Sequence, residues 1–120
     1  MTKEYIKEAD IGCDLCECSA SLSARNIPDE ESIFSISDLF KIFGDTTRLR
    51  ILLLLEGGPM CGSHIAEHLG MTKPAVSYQL KMLRRHDLVR SKREGKNIIY
   101  RISDDHVRAI IDCAIEHVNE

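Results

Sequence analysis

The segment at residues 72–85 reads TKPAVSYQLKMLRR and has the pattern of an amphipathic helix with a polar, basic face. Its apolar residues Val76, Leu80 and Leu83 recur at spacings of three and four, which is the helical period. Thr72 is a suitable N-cap, and Pro74 is tolerated in the first turn because the N–H groups there have no helical partner. We therefore predict a helix from Thr72 to about Arg85 with one exposed polar face.

The segments on either side of this helix predict its surroundings. Downstream the apolar period changes to two, in residues 88–93 and 97–102, which flank Glu94-Gly95-Lys96 and predict a β-hairpin. Upstream, a short helix capped near Ser63 ends at Gly70, and a tight turn separates it from Thr72. Two short helices joined by a turn and followed by a basic hairpin are typical of a winged helix-turn-helix.

Three further helices complete a mainly α-helical domain. They are expected at residues 32–44, at residues 46–55 after an Asp45 N-cap, and at residues 104–118 after a Ser103 cap. Residues 31–120 should therefore form one winged helix-turn-helix domain, preceded at residues 1–30 by a polar arm that contains cysteines. A chain of 120 residues with 43% hydrophobic residues is consistent with one such domain.

The charge distribution indicates a nucleic-acid partner despite a formal net charge of −3. Residues 72–101 hold nine basic and two acidic side chains, a local charge of +7, whereas the rest of the chain carries −10. A helix fits the major groove, where base pairs are distinguishable, and basic side chains neutralise phosphates. The alternative is a solvated basic face on a structural domain. The side chains expected to contact bases are Thr72, Lys73, Ser77, Tyr78 and Gln79, and those expected to contact phosphates are Lys81, Arg84, Arg90, Lys92, Arg93 and Lys96.

Membrane and secretory classes are not expected. The longest aliphatic run, residues 51–55, is far shorter than the roughly 20 residues that span a bilayer, and the N-terminus lacks an apolar signal segment. We therefore expect a cytoplasmic protein with no membrane partner. Its five cysteines should be reduced and available for metal or redox chemistry.

Three blocks of the sequence resemble the ArsR/SmtB family of bacterial metal-sensing repressors, over about residues 32–120. The blocks are GDTTRLRIL (44–52), AVSYQLKML (75–83) and REGKNIIY (93–100). The resemblance implies a homodimer, joined through its N- and C-terminal helices, that binds double-stranded operator DNA and releases it when a metal or another inducer binds. Tyr78 stands where the family frequently has histidine, so the family's base preference does not carry over.

Four residues of the last helix suit zinc or cobalt: Asp104, His106, His117 and Glu120. His106, His117 and Glu120 fall on one stripe beside an apolar stripe, but the two histidines lie about 16 Å apart along the helix. One helix therefore cannot close them on one ion, whereas two antiparallel copies would form a four-ligand site twice per dimer. The spacing Asp-x-His-x10-His-x2-Glu also matches the family's C-terminal-helix sensor pattern. Glu120 is the terminal residue, so its side chain or its terminal carboxylate could be the ligand.

A second metal site is predicted from the cysteines, by resemblance to the family's arm site. Cys13, Cys16 and Cys18 in the arm would combine with Cys61 and His64 at the start of the third helix. Thiolates favour cadmium, lead or zinc. Thiolate-sensing relatives have Cys-x-Cys at this helix, whereas this chain has Cys61-Gly62-Ser63-His64. The alternative for Cys61 is a buried packing role.

Two other functions are alternatives to a zinc-responsive repressor: a thiol redox sensor and a small zinc enzyme. A thiol redox sensor would use a disulfide between arm cysteines, and oxidant would release its DNA without any metal. A small zinc enzyme would need an open coordination position and a general base, yet the chain has no His-Glu-x-x-His helix and no phosphate-binding glycine loop. We therefore expect no enzymatic activity and no small-molecule substrate, and we take zinc as the first candidate ion, with cadmium, lead and cobalt as alternatives.

Overall fold

The computed structural model describes residues 25–120, which form a mainly α-helical winged helix-turn-helix. Its elements are α1 (Glu30–Phe43), α2 (Thr46–Glu56), β1 (Met60–Cys61), α3 (Gly62–Leu69), α4 (Lys73–Arg85), β2 (Val89–Glu94), β3 (Asn97–Ile102) and α5 (Asp105–Val118). The predicted fold class is confirmed. The arm cysteines Cys13, Cys16 and Cys18 lie outside the described residues.

Local signals place the helix-turn-helix where the sequence predicts it. The Asp45 carboxylate accepts a hydrogen bond from the Arg48 amide at 3.0 Å and so starts α2. The Thr72 hydroxyl accepts one from the Ala75 amide at 3.3 Å and starts α4. Gly70 has a φ of 65°, a left-handed conformation that suits glycine, and this turn redirects the chain from α3 to α4.

Two predicted caps are wrong, each by one or two residues. Asp104, not Ser103, caps α5, because its Oδ1 accepts from the amides of His106 and Val107 at 2.9 and 3.2 Å. The Ser103 hydroxyl instead donates to the Asp87 carbonyl at 2.6 Å, and this bond joins the end of the hairpin to the end of α4. Cys61, not Ser63, occupies the N-cap position of α3, without a side-chain hydrogen bond.

The sheet contains a strand that the sequence did not predict. The described strands lie in the order β1-β3-β2, all antiparallel, with Met60 opposite Tyr100 and Cys61 opposite Ile99. A two-residue strand is too short to show a period of two. The strand matters because it fixes the start of α3 against the central strand of the wing.

One apolar core holds these elements together. α2, α3, α4 and α5 each contribute fully buried side chains, among them Leu52, Ile65, Leu80 and Ile111. Burial of such side chains stabilises a fold by about 1.5–3 kcal/mol each. The core therefore fixes α4 and the wing as one body. No helix within residues 25–120 combines the length and the apolar character needed to cross a membrane.

Candidate nucleic-acid interface and metal ligands

The outer face of α4 presents polar and basic side chains to solvent. Thr72, Lys73, Ser77, Tyr78 and Lys81 are all exposed, and Tyr78 is 61% exposed. The opposite face of the helix buries Val76, Leu80 and Leu83 in the core. An exposed face on a rigidly packed helix is what entry into a major groove requires.

Gln79 differs from its predicted role as an exposed base-contacting residue. Its side chain is half-buried, and its Oε1 accepts a hydrogen bond from Nη1 of Arg48 at 3.1 Å. Nε of Arg48 donates to the Ile42 carbonyl at 3.1 Å. Arg48 therefore joins the end of α1 to α4, a role that its position in an apolar helix does not reveal.

The wing extends the basic surface beyond α4. β2 and β3 pair from Val89–Ile102 to Glu94–Asn97, and Gly95, with a φ of 61°, turns the chain between them. The basic side chains predicted on the wing are all exposed: Arg90, Lys92, Arg93 and Lys96. Arg84 also is exposed, and its Nη1 donates to the Ser91 hydroxyl at 3.3 Å, which connects α4 to the wing.

The four predicted ligands of the last helix form two pairs at its two ends. In the N-terminal pair, Nδ1 of His106 lies 3.6 Å from Oδ1 of Asp104. In the C-terminal pair, Nδ1 of His117 lies 3.6 Å from Oε2 of Glu120. The histidines are 95% and 78% exposed, so both pairs face outward. Within residues 25–120 of one protomer, no three His, Cys, Asp or Glu side chains form a group suited to a metal ion.

The C-terminal pair has nearly the spacing of two ligands in a tetrahedral zinc site. Two ligands that each lie about 2.0–2.1 Å from zinc are about 3.3 Å apart in tetrahedral geometry, close to the 3.6 Å between Nδ1 of His117 and Oε2 of Glu120. Because Oδ1 of Asp104 caps the helix, its second carboxylate oxygen is the one available to a metal. One imidazole and one carboxylate per pair is a donor set for zinc or cobalt.

The structure gives Cys61 and His64 different surroundings. The half-buried Cys61 lines a cleft with Lys73 and Lys96, whereas the exposed His64 lines a different depression with Glu67 and His68. The arm half of this predicted site lies outside the described residues. The cysteine site therefore remains a prediction.

Polar contacts attach α5 to the end of α2. Nη1 of Arg108 donates to the Glu56 carbonyl at 3.0 Å. Burial raises the pKa of the Glu56 carboxyl, and the nearby charge of Asp112 raises this pKa further, whereas Arg108 lowers it. Oε1 of Glu56 is buried without a hydrogen-bond partner among the described residues. Sequence patterns did not indicate this contact, because it joins residues 52 positions apart.

This chain is similar to known bacterial regulatory proteins. The family model described as "Bacterial regulatory protein, arsR family" matches residues 45–91. The HTH-type transcriptional regulator NmtR of Mycobacterium tuberculosis (strain ATCC 25618 / H37Rv) is 35% identical over 100 residues, which cover 80% of this chain and 83% of that protein.

Two solved structures extend the comparison to the fold. The AntR antimony-specific transcriptional repressor has a TM-score of 0.68 and 34% identity, covering 90% of this chain and 98% of that one. The homodimeric winged helix-turn-helix domain Mb0332 of Mycobacterium bovis has a TM-score of 0.71 and 26% identity, covering 80% of this chain and 91% of that one.

Proposed function

This chain belongs to the ArsR family of bacterial regulatory proteins, and from that premise we propose that it is a homodimeric repressor that zinc or a related heavy metal releases from its operator. It is a transcriptional repressor with a winged helix-turn-helix for DNA binding, and its family is one of regulators rather than enzymes. Release would derepress genes for metal resistance or efflux. Cadmium, lead and cobalt are the alternative inducers.

The observation that carries the metal proposal is the division of the four ligands between the two ends of α5. Each end holds a histidine and a carboxylate 3.6 Å apart, whereas the two ends are separated by about 16 Å of helix. A second, antiparallel α5 would bring the N-terminal pair of one protomer against the C-terminal pair of its partner. A zinc ion bound there would supply a fixed crosslink between the two helices.

An uncovered apolar face supports the homodimer. α1, α2 and α5 enclose a groove of about 330 Å³ lined by Phe40, Phe43, Leu53, Ile115 and Val118, among others. Phe40 is 61% exposed and Val118 is 79% exposed in the single protomer. Large apolar side chains grouped on one face usually mark an interaction surface, and the similar Mb0332 domain is homodimeric.

The contacts within one protomer offer a route from α5 to the DNA-binding helix. Arg108 attaches α5 to the end of α2, and Arg48 attaches the start of α2 to Gln79 on α4. Metal ions would join the two antiparallel α5 helices at both of their ends. A change in how these helices pack on α2 would then move α4, which shares the apolar core with α2. The two α4 helices of the dimer would then no longer match successive major grooves, which lowers operator affinity.

A subunit-mixing experiment tests the shared site. One protomer carries Asp104→Asn and His106→Ala, where asparagine preserves the helix cap. The other carries His117→Ala and Glu120→Ala. All proteins, including the reference, carry Cys13→Ser, Cys16→Ser and Cys18→Ser, which removes the arm thiols. In the mixed dimer one of the two sites retains all four ligands, whereas neither parent has a complete site.

The readout is zinc stoichiometry by competition with a chelating dye. We expect two tightly bound zinc ions per reference dimer, one per mixed dimer, and none in either parent dimer. A mixed dimer that binds no more zinc than its parent dimers would contradict the shared site. Parent dimers that each bind as much zinc as the reference dimer would contradict the choice of ligands.

A further inference from the structure

We propose that a cleft between α3, α4 and the wing holds one phosphate of the DNA backbone, gripped jointly by the recognition helix and the wing. The cleft has a volume of about 180 Å³ and is lined by Ser63, Lys73, Ser77, Lys96 and Asn97 over a floor that includes Tyr100. This inference rests on the DNA-binding function. Ser63 and Asn97 join the residues predicted to contact DNA, although the sequence did not indicate them for that role. Lys73 and Lys96 are assigned to the same backbone phosphate.

The position of the cleft points to the backbone rather than to a base. Lys73 and Ser77 lie four residues apart on α4 and share its exposed face, which enters the major groove. Lys96 lies at the turn of the wing, which reaches the neighbouring groove. A sugar–phosphate strand separates any major groove from the adjacent minor groove. A cleft between a helix in one groove and a hairpin at the next therefore faces that strand.

The lining has the chemistry of a phosphate site. Two lysine side chains supply positive charge, and two serine hydroxyls and one asparagine amide supply neutral donors. Among the described residues that line the cleft, none is acidic. A water molecule occupies about 30 Å³ of liquid, so 180 Å³ accommodates a phosphate group together with bridging waters.

The walls of the cleft are fixed before DNA arrives. The pairing of Cys61 with Ile99 holds the start of α3 against β3, and Tyr100 is buried beneath the cleft. A Cβ atom at Gly62 would be in ordinary van der Waals contact with the Tyr100 ring, at 3.4 Å, so the start of α3 lies beside that ring. The backbone around the cleft is therefore in place before binding, and the entropic cost of the site is the ordering of its exposed side chains.

A carboxylate introduced at Ser63 tests whether the cleft contacts DNA. Metal-free Ser63→Asp, Ser63→Asn and His64→Asp proteins are compared with wild type on an operator selected from a random duplex library and on an unrelated duplex. We expect Ser63→Asp to lose at least about tenfold in affinity for both duplexes, because its carboxylate would lie beside a phosphate.

Two matched variants give the controls. Ser63→Asn has the size of the aspartate without its charge and keeps a neutral donor in the cleft, so it should lose less affinity than Ser63→Asp. His64→Asp places a carboxylate one residue away, outside the cleft, and should stay within about threefold of wild type. Ser63→Asp binding as well as His64→Asp would overturn the cleft while leaving the DNA-binding function intact. A wild-type protein that binds no duplex would instead overturn the function itself. Circular dichroism melting of each variant checks that it folds.

Neutral phosphates in the DNA test whether the two lysines share one ligand. Single methylphosphonate substitutions along the operator should reveal one position per half-site that weakens wild-type binding. Lys73→Met and Lys96→Met should each lose sensitivity at that same position and keep it elsewhere. Loss of sensitivity at two different positions, or at none, would overturn the shared phosphate.

Discussion

Arg48 and Gln79 are joined by a 3.1 Å hydrogen bond from Nη1 of the arginine to Oε1 of the glutamine. The bond crosses from α2 to α4, and the same guanidinium donates to the end of α1 at the Ile42 carbonyl. The orientation of the DNA-binding helix is therefore fixed by a charged side chain on another helix as well as by the apolar core.

Gln79→Met should lower stability and operator affinity without changing base preference. The substitution removes a half-buried hydrogen bond to a charged donor, a loss of about 1.5–3 kcal/mol. Because the change acts through the position of α4, affinity should fall by a similar factor on every operator variant. Thermal melting and binding to single-base operator variants measure the two effects. Altered preference at one base pair would instead make Gln79 a base-contacting residue.

Phe40→Asp should separate the protomers. The Phe40 side chain is 61% exposed in one protomer, so the substitution leaves the core intact, but it places a carboxylate in the proposed interface. Sedimentation should give a monomer, and operator affinity should fall because two linked half-sites are no longer bound together. Ser35→Asp, about 140° away around α1, is the control and should remain dimeric. A dimeric Phe40→Asp protein would place the interface elsewhere.

Glu56→Gln should stabilise the protein at neutral pH but not in acid. The pKa of Glu56 is raised above its ordinary value of 4.5 by burial and by Asp112, so folding favours the protonated carboxyl. This contribution is fully present below the ordinary pKa and is lost as pH rises through the raised pKa. The neutral amide avoids that loss, so Tm should rise at pH 7 and change little at pH 3.

The control for this prediction is Glu67→Gln on the exposed side of α3, which should alter Tm little at either pH. A lower Tm for Glu56→Gln at pH 7 would mean that the charged carboxylate stabilises the contact between α2 and α5. An equal change at both pH values would exclude titration of Glu56 as the cause.

Operator affinity should fall steeply with salt although the sequence pI is about 5.9. The basic side chains of α4 and the wing are exposed in the single protomer, and the proposed dimer would carry this set twice. Each phosphate that they neutralise adds about −0.9 to the slope of log K against log salt. We expect a slope steeper than about −4. A flat dependence would contradict phosphate binding by this surface.

The sequence predicts those parts of the fold that periodicity and caps determine. α4 and the wing follow from the change of period after Arg85, and the stripe that holds His106, His117 and Glu120 follows from helical spacing; that these residues bind a metal stays a prediction. β1 has only two residues, which is too short for an alternating apolar pattern, so its sequence does not predict its pairing with β3.

The contacts that depend on distant residues could not be predicted in this way. Gln79 has the spacing of an exposed residue, but Arg48, 31 positions away, engages it. The resemblance to the family's arm site predicts that Cys61 and His64 share a metal site. In the described residues Cys61 pairs with β3, a long-range contact that no local pattern shows, and the two residues line different depressions.

The most direct test of metal-controlled repression is operator binding measured by fluorescence anisotropy under reductant, with chelator and then with saturating zinc. Wild type should bind in chelator and lose about 5- to 150-fold in affinity with zinc, the range of typical allosteric couplings. His117→Ala should bind equally well in chelator and show no loss with zinc. Equal loss in both proteins, or undiminished wild-type binding with zinc, would contradict control through the paired ligands of α5.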